Sequence, residues 1–415
     1  MMTEPEEKSP TSITTQPFSD DVDINTTSLW HDVDNVTEAF QAPEGCLVIP
    51  FSTFTPLDHP DDLVSRETQQ HFRQFVDVYF LSLCFLISVP TNVINMAVFW
   101  KHGIKERINL CLFCLSFADL TVLVFNWTMR ADKVYAVVSK TVHRGDILKF
   151  FVNNKILIVS GFTSVSGFLS TLVAFERCLC VVSPLKAQSM IQTKTTAVII
   201  AIGQVIILAG GYVVISKFII VCIFDPFTGD MMNLLYSSEF HIHNKEFIDI
   251  FSGIIYGIVL TTIYTAGVSV STVVTVVKLR RMAEWRKQSS SSASLPRGST
   301  TVKDMTLTRM LIGTSCVFVV CLISRCLLLV IPPFVPQLTM AGKYQNAYYL
   351  LITIEQMFSY TNSSVNFFVY YLFGTRYRQT VRGMFCGWRR TKKRVRMMTG
   401  IDQVTTDTAD YSVSQ

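Results

Sequence analysis

The sequence has little charge for its length. Only 16% of its 415 residues are charged, whereas soluble domains usually contain about 25%. Hydrophobic residues make up 49% of the chain, and they occur in blocks of about 20 to 30, the length at which a helix crosses the hydrocarbon core of a bilayer. This composition favours one helical membrane bundle over two or three soluble domains.

The sequence also lacks the signatures of common enzymes and metal centres. It contains no Walker-type glycine loop, no His-Glu-x-x-His and no glycine-flanked nucleophilic serine. Most of its eleven cysteines lie inside apolar blocks, where cysteine acts as a small hydrophobe. His241 and His243 could bind a metal, although two histidines on a loop are more often incidental. We therefore expect neither an enzyme nor a resident cofactor.

The first 74 residues differ sharply from the rest of the chain. They carry 14 acidic residues against three basic ones and are rich in Ser, Thr and Pro. No basic and apolar start marks a cleavable signal peptide, so we expect the first span to direct insertion. Sequons at Asn25 and Asn35 predict glycosylation. Residues 1–74 are thus expected to form a disordered acidic tail.

Seven apolar blocks follow the tail. We place the spans at roughly residues 75–100, 107–130, 150–182, 195–216, 247–277, 305–332 and 346–372. If the N-terminus is outside, the inner segments hold 21 Lys and Arg residues and the outer segments hold 10. Because basic residues accumulate on the cytoplasmic side, this count predicts an extracellular N-terminus and a cytoplasmic C-terminus. Nucleic-acid binding explains the basic excess poorly, since it is confined to short segments and the tail.

The predicted fold is an all-α membrane protein, a seven-transmembrane helix bundle over residues 75–372. Residues 373–415 begin with a basic amphipathic stretch, which is expected to form a short eighth helix on membrane lipid before the cytoplasmic tail. Cys386 is well placed there for palmitoylation. The expected location is the plasma membrane.

Four motifs occur in order along the spans, namely Thr91-Asn92-Val93, Leu115-Ser116-Phe117-Ala118-Asp119, Glu176-Arg177-Cys178 and Asn362-Ser363-Ser364-Val365-Asn366-Phe367-Phe368-Val369-Tyr370. In sequence and in order they resemble the motifs of rhodopsin-like G-protein-coupled receptors. The resemblance covers about residues 75–380 and is divergent, because Phe367, Leu322 and Ser324 replace the family's Pro, Trp and Pro. The fifth span also lacks proline. These losses concern the activation switch more than the fold.

The resemblance implies two interior sites. A sodium ion as allosteric modulator would be held by Asp119, Ser166, Asn362 and Asn366; the alternative is a hydrogen-bonded packing cluster without an ion. Coupling to a heterotrimeric G protein would depend on Glu176, Arg177, Asp304 and Tyr370, with Asp304 or Glu176 restraining Arg177. The alternative for Arg177 is contact with lipid phosphate.

The outer halves of the spans contain several polar residues at the depth of the family's ligand cavity. These candidates are Arg325, Arg130, Lys155, Trp127, Glu355, Gln356 and Tyr360. A basic cluster with one carboxylate suits a ligand bearing an anionic or carbonyl group, although snorkelling to the interface could also explain Lys155. Val159 replaces the Asp of amine receptors and Tyr360 replaces the retinal-linking Lys of opsins, so a peptide or a small chemical is expected.

The cysteine that usually ties the third span to the second outer loop is replaced by Val152. Cys46 and Cys222 are then the two cysteines predicted to be clearly extracellular, and the cell exterior is oxidising. We expect a Cys46–Cys222 bridge; the alternative is that Cys222 is the buried end of the fourth span and Cys46 is free.

The sequence predicts a receptor that binds an extracellular ligand and activates a heterotrimeric G protein, with arrestin and receptor kinases as further partners. Its closest resemblance is to invertebrate neuropeptide and chemosensory receptors. Two other classes stay open. One is a heptahelical transporter or channel, for which no inverted repeat is visible; the other is a heptahelical ligand-binding protein without G-protein coupling.

The predicted orientation can be tested through the two sequons. If the tail is extracellular, peptide N-glycosidase should increase the gel mobility of protein expressed in membranes, and Asn25→Gln with Asn35→Gln should remove that shift. The two single variants are the controls for which sequon is used. Unaltered mobility of the double variant would remove the main support for the topology.

Overall fold

The computed structural model describes residues 46–48, 59–139, 146–156, 161–183, 192–224, 231–289, 299–339 and 342–385. The predictions for Asn25, Asn35, Val159 and Cys386 lie outside these residues. The chain divides into two units, Met1–Thr55 with Val221–Met232, and Pro56–Ile220 with Asn233–Gln415.

In the smaller unit, a short strand is tied to a distant part of the chain. Strand β1 (Cys46–Val48) pairs in parallel with β2 (Phe218–Phe224), and Cys46 lies opposite Cys222. The two cysteines expected to pair form a disulfide, with their Cα atoms 4.5 Å apart. It joins positions 176 residues apart, a separation that stabilises the fold by about 5 kcal/mol in the chain-entropy model. Strand β3 (Met231–Ser237) completes the sheet in the order β1-β2-β3.

The larger unit is a helical bundle. Its helices are α1 (Arg66–His102), α2 (Arg107–Thr128), α3 (Ala131–Ser139), α4 (Asp146–Asn153), α5 (Phe162–Val182), α6 (Thr193–Ser216), α7 (Glu239–His243), α8 (Lys245–Asp249, Ile250–Val259 and Leu260–Ser289), α9 (Ser299–Phe334), α10 (Gln345–Phe373) and α11 (residues 375–385). Within the described residues, α1, α2, α5, α6 and α8 are long and apolar enough to cross a bilayer. Helix α9 adds the apolar stretch Ile312–Leu328, and α10 is 29 residues long but rich in Tyr, Asn and Ser. The predicted all-α membrane bundle is confirmed.

The first helix begins earlier than the sequence predicted. It starts at Arg66 rather than at residue 75, because Ser65 caps it by accepting a hydrogen bond from the Thr68 backbone N–H at 3.3 Å. The segment Arg66–Gln74 is polar, so a search for apolar blocks cannot detect it. The helix therefore extends into the predicted tail, and the start of the membrane span at residue 75 stays a prediction.

The predicted third span is interrupted. Instead of one helix over residues 150–182, α4 ends at Asn153 and α5 begins at Phe162. Lys155 between them has φ of 57°, a conformation that non-glycine residues adopt uncommonly. The side chain of Asn153 donates to the Ile220 carbonyl at 2.9 Å and accepts from the Ile220 N–H at 2.8 Å. Asn153 thus ends the helix by serving as a hydrogen-bonding partner for β2, which apolar periodicity does not reveal.

The bundle packs around a central apolar core. Helix α1 packs against α2 and α10, α2 packs against α5, α5 packs against α8, and α9 packs against α10. The core includes Leu112, Leu115, Leu169, Phe99 and Tyr370, all nearly inaccessible to solvent. The resulting bundle brings the interior faces of α2, α5 and α10 together.

Two glycines allow aromatic rings to approach the helix backbones closely. A Cβ atom at Gly203 in α6 would lie 2.5 Å from Cζ of Phe168, and one at Gly167 in α5 would lie 2.9 Å from Cδ2 of Tyr264. Lipid tails are as apolar as these side chains, so helix association depends on close van der Waals contact rather than on hydrophobic burial. Gly203 and Gly167 therefore stabilise the contacts of α5 with α6 and α8.

We predict that Gly203→Ala destabilises the bundle. Alanine favours helices over glycine by about 1 kcal/mol, but the added methyl group would displace Phe168, and overpacking typically costs about 1 to 3 kcal/mol. Gly253→Ala is the matched control, because nothing lies within 4 Å of a Cβ atom there. Thermal unfolding in detergent should show a lower midpoint for Gly203→Ala than for Gly253→Ala; equal midpoints would contradict the packing account.

Candidate functional site

Asp119 in α2 connects three helices in the interior. Its side chain is inaccessible to solvent; Oδ1 accepts a hydrogen bond from Ser166 Oγ of α5 at 2.7 Å, and Oδ2 accepts one from Asn366 Nδ2 of α10 at 2.8 Å. Three of the four predicted sodium-pocket residues are therefore together. Asn362 instead lines a neighbouring cavity, together with Arg325 and Glu355.

The Asp119 carboxylate and the Ser166 hydroxyl are hard oxygen donors of the kind that small cations prefer, whereas Asn366 presents its amide nitrogen to Asp119. Among the described residues, no cluster of three or more His, Cys, Asp and Glu side chains could hold a metal ion. The sodium pocket stays a prediction. Comparing the unfolding midpoint in sodium chloride and in choline chloride can test it, with equal midpoints counting against it.

A second polar network joins α1, α10 and α11. Asn92 Nδ2 donates to the Ser363 carbonyl at 3.1 Å, and Asn95 Nδ2 donates to Asn92 Oδ1 at 3.3 Å. The Tyr377 hydroxyl donates to Asn95 Oδ1. Tyr370, the last residue of the fourth motif, packs beside Tyr377 with ring centroids 5.7 Å apart. These contacts fix α11 against the end of the bundle.

Glu176 and Arg177 form the ion pair at the end of α5. Arg177 Nε lies 2.6 Å from Glu176 Oε2, and Arg107 Nη2 of α2 lies 3.6 Å from Glu176 Oε1. The Glu176 carboxylate is nearly inaccessible to solvent, so both guanidinium groups compensate a buried charge. Sequence reasoning missed Arg107 because it sits at the polar start of a helix. The side chain of Asp304 lies outside the described residues, and its pairing with Arg177 stays a prediction.

A polar cavity opens among α5, α8, α9 and α10. It has two adjoining parts, the larger of about 340 Å³, which is near the lower end of small-molecule sites. The residues shared by both parts are Thr163, Ser164, Arg325, Glu355 and Ser359. Gln356 and Tyr360 line the larger part. Four of the seven predicted ligand-binding residues thus surround one cavity.

The other three predicted ligand-binding residues do not line this cavity. Arg130 Nε is paired with Asp77 Oδ1 at 2.7 Å. The Lys155 amine donates to the Phe218 carbonyl at 3.1 Å. The Trp127 ring stacks on Phe85 with centroids 4.5 Å apart, and its Nε1 donates to Ser82 Oγ at 3.2 Å. Each of these polar groups is used in a contact between structural elements, and a ligand-binding role for Arg130, Lys155 and Trp127 stays a prediction.

Asp77 is a site residue that sequence reasoning missed. It lies in the π-helical segment Phe75–Phe80 of α1, and its carboxylate pairs with Arg130 and with Lys133 Nζ, each at 2.7 Å. Arg130 Nη2 also donates to Gln356 Oε1 at 3.5 Å, which links the cluster to the cavity wall. A single carboxylate inside a predicted span is costly in hydrocarbon, and this cost was the signal that could have revealed it.

We predict that Asp77→Asn strongly destabilises the bundle. Removing the charge leaves Arg130 and Lys133 without their buried partner, a change that typically costs about 3 to 5 kcal/mol. The control is Asp61→Asn, because Asp61 is 65% exposed and pairs with Lys343 at 3.0 Å; exposed pairs contribute little. Thermal unfolding should show a large loss for Asp77→Asn alone, and similar midpoints for the two variants would contradict the assignment.

Comparison with known proteins supports the same fold. The family model described as "Serpentine type 7TM GPCR chemoreceptor Srw" matches residues 78–388, which include the cavity, Asp119 and the Glu176–Arg177 pair. No curated protein matches the chain. The match confirms the resemblance to a divergent G-protein-coupled receptor of the invertebrate chemosensory type. The chain belongs to the Srw family of serpentine seven-transmembrane GPCR chemoreceptors.

Proposed function

We propose that this receptor binds a small polar chemical ligand in the cavity around Arg325 and Glu355 and activates a heterotrimeric G protein. The observation that carries the proposal is this pair of ionisable side chains in one interior cavity. Among the described residues, neither side chain has a hydrogen-bonding partner or an ion-pair partner within 4.0 Å. The family match supports the receptor role.

Ionisable side chains are costly inside a membrane bundle. Each ionisable side chain at the centre of a membrane helix costs about 2.5 to 3.5 kcal/mol on insertion scales, and such residues usually mark functional sites. Asp77, Asp119 and Glu176 have close polar partners. Arg325 and Glu355 have their charges directed to a cavity instead. A ligand that pairs with them would offset their cost, which gives the occupied state its stability.

The proposed orientation follows from the charge count and the acidic tail. With the N-terminus outside the plasma membrane, the cavity opens towards the extracellular side, and the Glu176–Arg177 pair lies towards the cytoplasm. Helix α5 carries Ser164 of the cavity wall, Ser166 beside Asp119 and the Glu176–Arg177 pair. A ligand that shifts α5 can therefore bias the ion pair, provided it binds the shifted state more tightly.

Coupling to the G protein would use Arg177 after release from Glu176. While the pair is closed, the guanidinium is held against its own helix at 2.6 Å. In the open state Arg177 would contact the G protein. The replaced switch residues Leu322 and Ser324 favour a second candidate, a chemoreceptor that binds ligand without G-protein coupling. A transporter is disfavoured by the family match. Ligand-stimulated nucleotide exchange separates these functions.

We predict that Glu176→Gln raises ligand-independent nucleotide exchange several-fold, because a neutral amide restrains Arg177 less than a carboxylate does. Arg177→Ala should abolish exchange and retain ligand binding. The control is Glu106→Gln, since Glu106 is exposed at the start of α2. Exchange is measured with purified G proteins and receptor in nanodiscs. Unchanged basal exchange in Glu176→Gln would remove the ion pair from the switch.

A further inference from the structure

We propose that the ligand is a zwitterion of about the size of a free amino acid, with an anionic group that binds Arg325 and a protonated amine that binds Glu355. The inference rests on the proposed ligand cavity and names its chemical class. Arg325 on α9 and Glu355 on α10 line both parts of the cavity. They interact electrostatically, yet no ion pair within 4.0 Å joins them, so ligand groups can approach each.

Charge balance favours a ligand with both signs. A monoanion would pair with Arg325 and leave the Glu355 carboxylate without a cation, whereas a simple amine would leave Arg325 without an anion. Leaving either charge of the cavity uncompensated is unfavourable. A neutral ligand would compensate neither charge. A zwitterion keeps the cavity neutral and pairs with both residues.

Two tyrosine hydroxyls provide independent evidence that a polar ligand binds here. Tyr264 and Tyr360 are 7% and 2% exposed, and neither buried hydroxyl has a hydrogen-bonding partner within the part of the chain that the structure describes. Tyr264 lines the smaller part of the cavity and Tyr360 the larger part. A buried hydroxyl without a hydrogen-bonding partner destabilises the empty cavity. A carboxylate can accept from a tyrosine hydroxyl, and an ammonium group can donate to one.

The size and walls of the cavity narrow the class further. Its larger part has a volume of about 340 Å³, near the lower end of the range for small-molecule sites. Apolar side chains of α6 and α9 form part of the wall, namely Val214, Ile215 and Leu328. This volume disfavours a long peptide held wholly within the cavity. The apolar wall suits a zwitterion with a hydrophobic side chain.

The inference can be tested with matched probes on the full-length receptor in nanodiscs. The probes are L-phenylalanine, 3-phenylpropionate and phenethylamine, together with L-leucine, 4-methylpentanoate and isopentylamine. Thermal shift at millimolar concentration should detect binding of at least one amino acid, and its Kd should be roughly tenfold or more below those of its matched acid and amine. Absence of a shift with both amino acids would overturn the inference, as would equal affinity for the matched acid or amine.

Variants assign each charge to one end of the ligand. Arg325→Gln should weaken amino-acid binding roughly tenfold or more and leave binding of the matched amine unaffected or improved. Glu355→Gln should also weaken amino-acid binding roughly tenfold or more, but leave binding of the matched acid unaffected or improved. Arg325→Lys conserves the charge and should retain part of the affinity for the amino acid. If Arg325→Gln does not fold, Arg325→Lys replaces it in the binding measurements. Equal loss for all three probes in either variant would contradict the assignment.

Nucleotide exchange distinguishes this inference from the proposed function. An amino acid that binds without stimulating exchange would contradict G-protein activation and leave the ligand class intact. A non-zwitterionic activator that depends on neither Arg325 nor Glu355 would overturn the ligand class and leave the receptor function intact.

Discussion

The hydrogen bonds from Ser166 and Asn366 to the Asp119 carboxylate are the constraint on which the arrangement of the bundle depends. Lipid supplies little hydrophobic drive for helices to associate, so packing and polar contacts between helices must do so. A carboxylate in the interior is costly unless both oxygens have partners, and here the partners come from α5 and α10. Moving either helix away from α2 would leave one oxygen of the Asp119 carboxylate without its hydrogen bond. Asp119 therefore fixes three helices relative to one another.

The ligand cavity lies beside this constraint along the same helices. Asn362 and Ser359 of α10 and Ser164 of α5 line it. Asn366, four residues after Asn362, and Ser166, two residues after Ser164, contact Asp119. A ligand that moves α5 or α10 must alter the geometry around Asp119. Further along α5, Glu176 holds Arg177 and contacts Arg107 of α2. The proposed signalling route thus runs through α5, whose polar contacts at both ends involve α2.

The sequence predicted best what depends on composition and on motifs with fixed spacing. The membrane bundle follows from apolar block length, and Asp119 with Asn366 follows from motifs that the family places at set depths. The joined Cys46 and Cys222 were anticipated because few cysteines lie outside the apolar blocks. The break after Asn153 was not anticipated, since it depends on a contact with Ile220, 67 residues away. Asp77 was missed because its pairing with Arg130 across 53 residues leaves no local pattern.

The most direct test of this account is a double-mutant cycle on Asp119 and Asn366. Free energies of unfolding would be measured in bicelles for Asp119→Ala, Asn366→Ala and the double variant. If the carboxylate fixes α10, the double variant should lose about 1.5 to 3 kcal/mol less free energy of unfolding than the sum of the two single variants. This is the coupling expected for a hydrogen bond to a charged group. Losses that add within about 0.5 kcal/mol would show that the two residues act independently, and would contradict the central role of Asp119.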